Sequence, residues 1–146
     1  MTPTRWTNLL GLAALTAVVG WLLADRSYES LALPAYAPVT ALLMAVFEGG
    51  LARVVSLKIS GRSRGKAMHP FQVARAAVLA KASSAGGALL VGFYGGYFAW
   101  TASRRDELRS ASHDAVVAGL ACGASLFLVV AALLLERACR TPDRPD

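Results

Sequence analysis

Four charged residues sit within or at the edges of apolar stretches of this sequence: Glu48, Arg53, Arg75 and Lys81. An acid and a base among apolar neighbours can neutralise each other, share a proton, or bind an ion of opposite sign. Glu48 and Lys81 are the candidates for such an intramembrane charge pair. Glu48 lies nine residues into its block, counted back from Leu57, and Lys81 ten into its own, counted from Phe71. At 1.5 Å per helical residue both depths are about 13–15 Å, so the two head groups are expected to meet. Such a pair fixes helix register or is shared with a partner subunit. In the functional reading the carboxyl instead takes part in proton or ion coupling. Arg53 and Arg75 each lie four residues in, where long basic side chains reach back to lipid headgroups.

Other chemistry finds little support. His69 and His113 fall in connections expected on opposite faces of the membrane, so neither a Ser–His pairing nor a metal site follows, and no cofactor is expected. Ala85-Gly86-Gly87 lies inside an apolar stretch and opens no helix after a strand, which makes it packing material and not a phosphate cradle. Cys122 and Cys139 are about 25 Å apart along one helix, too far for a disulfide within the chain. No enzyme is expected.

The elements that must hold these residues are read from the uncharged blocks Trp6–Ala24, Ser30–Phe47, Ala82–Ser103 and Ala115–Leu135. Each has the length of about 20 residues with which a helix crosses the hydrocarbon layer. They take up most of a 146-residue chain that is 55% hydrophobic and 16% charged, which excludes a separate soluble enzyme domain and a disulfide scaffold. The expected fold is all-α: a polytopic membrane protein of four transmembrane helices packed as a bundle, one domain over residues 1–146. The spans are placed at about 7–24, 38–57, 71–102 and 114–136. Pro38 suits the first turn of the second span, and Ser112 is expected to cap the fourth. The third stretch is long enough to protrude from the bilayer or to tilt. The first block is longer than the apolar run of a signal peptide and is read as an uncleaved span.

The net charge of +6 sits in the connections, without a nucleic-acid signature. Lys58, Arg62, Arg64 and Lys66 form a basic loop over 58–69, and a basic tail follows over 137–146. Both are expected to meet anionic lipid headgroups on the cytoplasmic side, with both termini cytoplasmic. The aromatic residues Trp21, Tyr28, Tyr36, Tyr94, Tyr97 and Trp100 are expected near the outer interface, and Trp6 near the inner one. Phe93, Tyr94, Tyr97, Phe98 and Trp100 also admit an aromatic box for a cationic or lipid ligand. Small residues recur at helical spacing, and such stripes let membrane helices approach closely. Ala41, Ala45, Glu48, Gly49 and Ala52 form one stripe. Ala77, Lys81, Ser84, Ala85, Ala88, Gly92 and Gly95 form a second. Gly92/Gly96 and Gly119/Gly123 add further small pairs, and Ala13, Ala17, Gly20 and Ala24 line the first span.

Thr4-Arg5-Trp6, Pro38 leading into a span with Phe47-Glu48, the run Ala74-Arg75-Ala76-Ala77-Val78-Leu79-Ala80-Lys81-Ala82-Ser83 and the closing Leu135-Glu136-Arg137 resemble a small actinobacterial membrane-protein family. That family is known as domain of unknown function 3180 and is often encoded beside folate-biosynthesis genes. The resemblance implies four spans, a bacterial inner membrane and no assigned reaction. The expected role is a non-enzymatic accessory or scaffold subunit acting through helix–helix contacts, as a homo-oligomer or with another membrane subunit. The alternative is a small proton-coupled transporter or lipid-handling protein built on the Glu48–Lys81 pair.

Overall fold

The structure, a computed structural model, describes residues 6–27, 36–59, 70–104 and 111–139. They form four helices: α1 Trp6–Ser27, α2 Ala37–Ile59, α3 Pro70–Ser103 and α4 Ala111–Ala138. Each is long and apolar enough to cross a membrane. The helices start and stop where local chemistry allows. The Tyr36 carbonyl accepts hydrogen bonds from the Val39 and Thr40 amides, 3.1 Å each. The chain thus turns into α2 around Pro38, which has no N–H to leave unpaired. At the start of α4 the helix already includes Ala111, so Ser112 lies inside the first turn and not at the cap position expected for it. Asp114 stands in the same turn, where a carboxylate suits the positive end of the helix dipole.

The helices pack in the order α1, α3, α4, α2. α3 and α4 form the central pair, α1 seats on α3, and α2 seats on α4. Glycine allows α3 to be packed closely on two sides. A Cβ at Gly92 would collide with the Ala13 carbonyl and the Thr16 hydroxyl, and one at Gly96 with the Ala17 carbonyl. The mirror-image position on α1 is Gly20, whose missing side chain leaves room for the Phe93 carbonyl. On its α4 side, Gly87 sits against Val129 and Ser125. The Cys122 thiol there lies 3.6 Å from the Val91 carbonyl. This backbone-level approach supplies the dispersion contact that holds helices together in lipid, where no hydrophobic effect drives them.

Two apolar clusters mark the bundle ends. Ala24, Tyr97, Trp100 and Ala118 form one. Ala52, Val55, Ala80 and Leu135 form the other, at the end where α2 finishes and α3 begins. From that second cluster α3 runs back ten residues to Pro70, about 15 Å, whereas α2 continues only four residues to Ile59, about 6 Å. At this end α3 therefore overshoots α2 by roughly 9 Å. Outward-facing positions are mainly apolar, among them Leu10, Leu15, Leu43, Val46, Phe47, Leu120 and Phe127. Lipid tails are the solvent that such a surface requires.

Candidate functional site

The informative residue of the bundle is Glu48. It lies midway along α2, on the stripe with Ala41, Ala45 and Ala52 that α2 buries. Its relative exposure is 0%. The Ser83 hydroxyl of α3 faces the carboxyl, without closing into a hydrogen bond. Both carboxylate oxygens thus lack a hydrogen-bond partner among the described residues. Buried carboxylates elsewhere in proteins are almost always paired or bonded, because an isolated ionised one is too costly to keep from water.

The expected partner does not supply the missing contact. Lys81 is exposed, and no ion pair joins it to Glu48. Two geometric facts explain the difference. First, the overshoot of α3 shifts the register: Lys81 follows Ala80, which packs beside Ala52 and Val55, not beside Glu48. Depths counted from the two helix ends match only if both ends lie at the same height. Second, Ser83 is the α3 side chain turned toward Glu48. Lys81 precedes it by two residues, about 200° around the helix, and so points away.

Arg53 and Arg75 are both exposed. Arg75 lies in the overshooting part of α3, where its guanidinium stacks 4.4 Å from the centre of the Phe71 ring. Lys58 is exposed in the last turn of α2, while Arg62, Arg64 and Lys66 lie outside the described residues. The small residues divide. Ala45 is buried, and Gly92 and Gly96 are the closest approaches of α3 to α1. Gly119 meets the edge of the Phe98 ring, where a Cβ would sit 3.3 Å away. Gly49 and Gly123, in contrast, have open space where a Cβ would stand, so they do not serve the close packing expected of them. Ala85 is half-buried.

Beside Glu48 runs a groove of about 680 Å³. Its α2 wall is Thr40, Ala41 and Met44; its α3 wall includes Ser83, Gly86, Leu90 and Tyr94, and α4 contributes Leu128. On α2 the wall residues advance by helical turns, and Glu48, four residues after Met44, is the next member of that row. Ser83 belongs to both places: it lines the groove and faces the carboxyl. The lining carries no charged group. An apolar concavity with a few convergent polar groups is the usual form of a small-molecule site.

Sequence reasoning missed Ser83 as the neighbour of Glu48. Once the register is known, its signal is the i, i+4 row Leu79, Ser83, Gly87. It also missed a polar cluster at the other end of α3. There the Trp100 indole N–H donates to Asp25 Oδ1 at 3.0 Å. Arg104 approaches the same carboxylate at 3.7 Å and lies over the Trp100 ring at 5.2 Å. Trp100 and Tyr97 are therefore buried parts of the joint between α1 and α3. They also face away from the groove, which Tyr94 lines, so the aromatic residues do not gather into one box.

The fold defines a multi-pass helical membrane protein with a carboxyl buried midway along one of its helices. Within that class, the chain belongs to the family described as "Protein of unknown function (DUF3180)", which matches residues 9–143. No curated protein and no solved structure matches it.

Proposed function

We propose that this is a non-enzymatic membrane protein that works by binding an apolar small molecule from the lipid phase in the α2–α3 groove, with Glu48 carrying a proton that is exchanged on binding. This is the small proton-coupled transporter or lipid-handling reading, resting on Glu48 alone instead of on a Glu–Lys pair. The observation that carries it is the fully buried Glu48 carboxyl, without a hydrogen bond, one helical turn beyond Met44, the last α2 residue to line an uncharged groove, and beside Ser83, which lines it too. An ionised carboxylate enclosed in hydrocarbon without a counter-charge costs several kcal/mol, so the enclosed position of Glu48 is compatible with the neutral acid. On the same reading the protein sits in a bacterial cell membrane with both termini cytoplasmic, the basic loop and tail lying on anionic headgroups.

A hydrophobic carbodiimide tests the proton-carrying acid. The reagent takes up a protonated carboxyl from the lipid phase: the acid adds across its C=N bond, and the adduct rearranges to a stable acylurea. Mass spectrometry should find the adduct on Glu48, decreasing as pH rises and as an apolar occupant fills the groove. Labelling confined to Asp25 and Glu136 would refute the reading.

A second reading, an accessory subunit acting through helix–helix contacts in a homo-oligomer or with another membrane subunit, draws on Lys81. This amine lies on an outward flank of α3, exposed, where an acid of a neighbouring chain could meet it. Mild-detergent purification followed by mass determination distinguishes a stoichiometric partner from a monomer.

A further inference from the structure

We propose that the groove takes a lipophilic organic cation, an amine or a quaternary ammonium or phosphonium on an apolar body, with the Glu48 carboxylate as its counter-charge. The inference rests on the reading of the groove as a binding site and names its ligand class.

Four observations converge on that class. The walls are apolar and the volume of about 680 Å³ suits a small organic body. The charges around Glu48 leave it without a resident counter-ion. From α3 the Ser83 hydroxyl faces it, the neighbouring buried Ser84 hydroxyl donates to the Lys81 carbonyl at 3.0 Å, and the Tyr94 phenol stands further along the groove. The buried residues that α4 offers nearby are Ala124, Ser125, Leu128, Ala131 and Ala132, none of them titratable, and Ser125 already donates to the Ala121 carbonyl at 2.7 Å. On α2 the nearest cation, Arg53, is exposed, and on α3 Lys81 points away. A neutral ligand without a hydrogen-bonding group would leave the carboxyl unmet, an anion would be repelled by the carboxylate, and a small hydrated cation would not leave water for an apolar wall. A cation with an apolar body satisfies both halves of the site. Finally, Gly86 lines the groove with open space in place of a side chain, so the wall is set back where the body would lie.

Binding proceeds as an exchange. With no cation in the groove, Glu48 holds its proton. The cationic head turns the Ser83 hydroxyl aside, the O–H bond of the acid breaks with its electron pair left on the carboxylate, and the proton passes to water as the ion pair forms. Cation affinity therefore falls as pH falls, by about tenfold per unit once the free carboxyl is mostly protonated.

The test uses the full chain purified in a neutral detergent, with tetraphenylphosphonium as the cation and tetraphenylborate as an anion of matched shape. N-phenyl-1-naphthylamine, whose fluorescence reports apolar surroundings, serves as the neutral probe. Equilibrium dialysis should show the phosphonium bound more tightly than the borate. One proton should be released per cation bound, read with an indicator dye in weak buffer on the unaltered protein. Glu48→Gln should weaken phosphonium binding roughly 30-fold or more while leaving the neutral probe bound. Gly86→Phe, whose ring projects into the groove, should weaken both. Phosphonium binding without proton release, or binding no tighter than that of the borate, overturns the cation assignment. In that event the groove reading stands if Gly86→Phe still displaces the neutral probe. If Gly86→Phe leaves both probes bound as before, the groove reading fails as well.

Discussion

At the residue scale, two carboxylates of the same chain show how surroundings decide a role. Asp25 is half-exposed and shared between the Trp100 indole and the Arg104 guanidinium, so it acts as a fastener. Glu48 is enclosed and without a hydrogen bond among the described residues, which is what makes it the candidate for a proton-carrying role. Replacing Trp100 by Phe keeps the ring in the α1–α3 joint but removes its donor. A hydrogen bond to a charged group contributes about 1.5–3 kcal/mol when buried, and the half-exposed carboxylate lowers the expectation here to about 1 kcal/mol. A lowered thermal midpoint in detergent, restored toward normal by no change at Arg104, would register it. Glu48 and Lys81 should behave as strangers. Lys81→Met should change stability by less than about 0.5 kcal/mol, as outward-facing substitutions do. A double-mutant cycle of Glu48→Gln with Lys81→Met should give no coupling. Coupling above about 1 kcal/mol would restore the charge pair that the geometry denies.

At the element scale the decisive object is α3, which must touch α1 on one flank and α4 on another. Its glycines divide accordingly. Gly92 and Gly96 meet α1 backbone, whereas Gly86 meets nothing. Gly92→Leu should separate α1 from α3 and cost about 1–3 kcal/mol, the usual range for overpacking, or more if the backbones are forced apart. Gly86→Ala should be tolerated and gain slightly from better helix propensity. Equal effects of the two glycine substitutions would show that the asymmetry of α3 is not real. How much of this could be read in advance differs by helix. The buried stripe of α2 was legible because small residues and Glu48 recur every three to four positions. On α3 small residues occur nearly all round, so periodicity alone could not say which flank meets which neighbour.

At the scale of the whole molecule, the helices alternate in direction, so that the end of α2, the first turns of α3 and the end of α4 share one end of the bundle, and the end of α1, the end of α3 and the start of α4 the other. In a chain freed of its native thiols by Cys122→Ala and Cys139→Ala, cysteines at Arg62 and Arg105 should react with a membrane-impermeant maleimide from opposite sides. Reaction of both from the same side of a sealed vesicle would refute the four-span topology. Arg62 should be reached only from the cytoplasmic side if the basic loop follows the usual distribution of positive charge.

The number of helices, their approximate limits and the apolar surface they present were determined by the sequence alone, because the bilayer imposes a length and a composition that can be counted along the chain. The residue that carries the site, Glu48, was legible for the same reason: a charge in an apolar block is conspicuous. Its neighbours were not. Which group faces it depends on how far one helix slides past another and how each is rotated, and neither is encoded in depth counted from a single helix end. Only the packing of α2 on α4 and the overshoot of α3 placed Ser83 against the acid and turned Lys81 away. The same packing opened beside the acid a groove that no single helix contains.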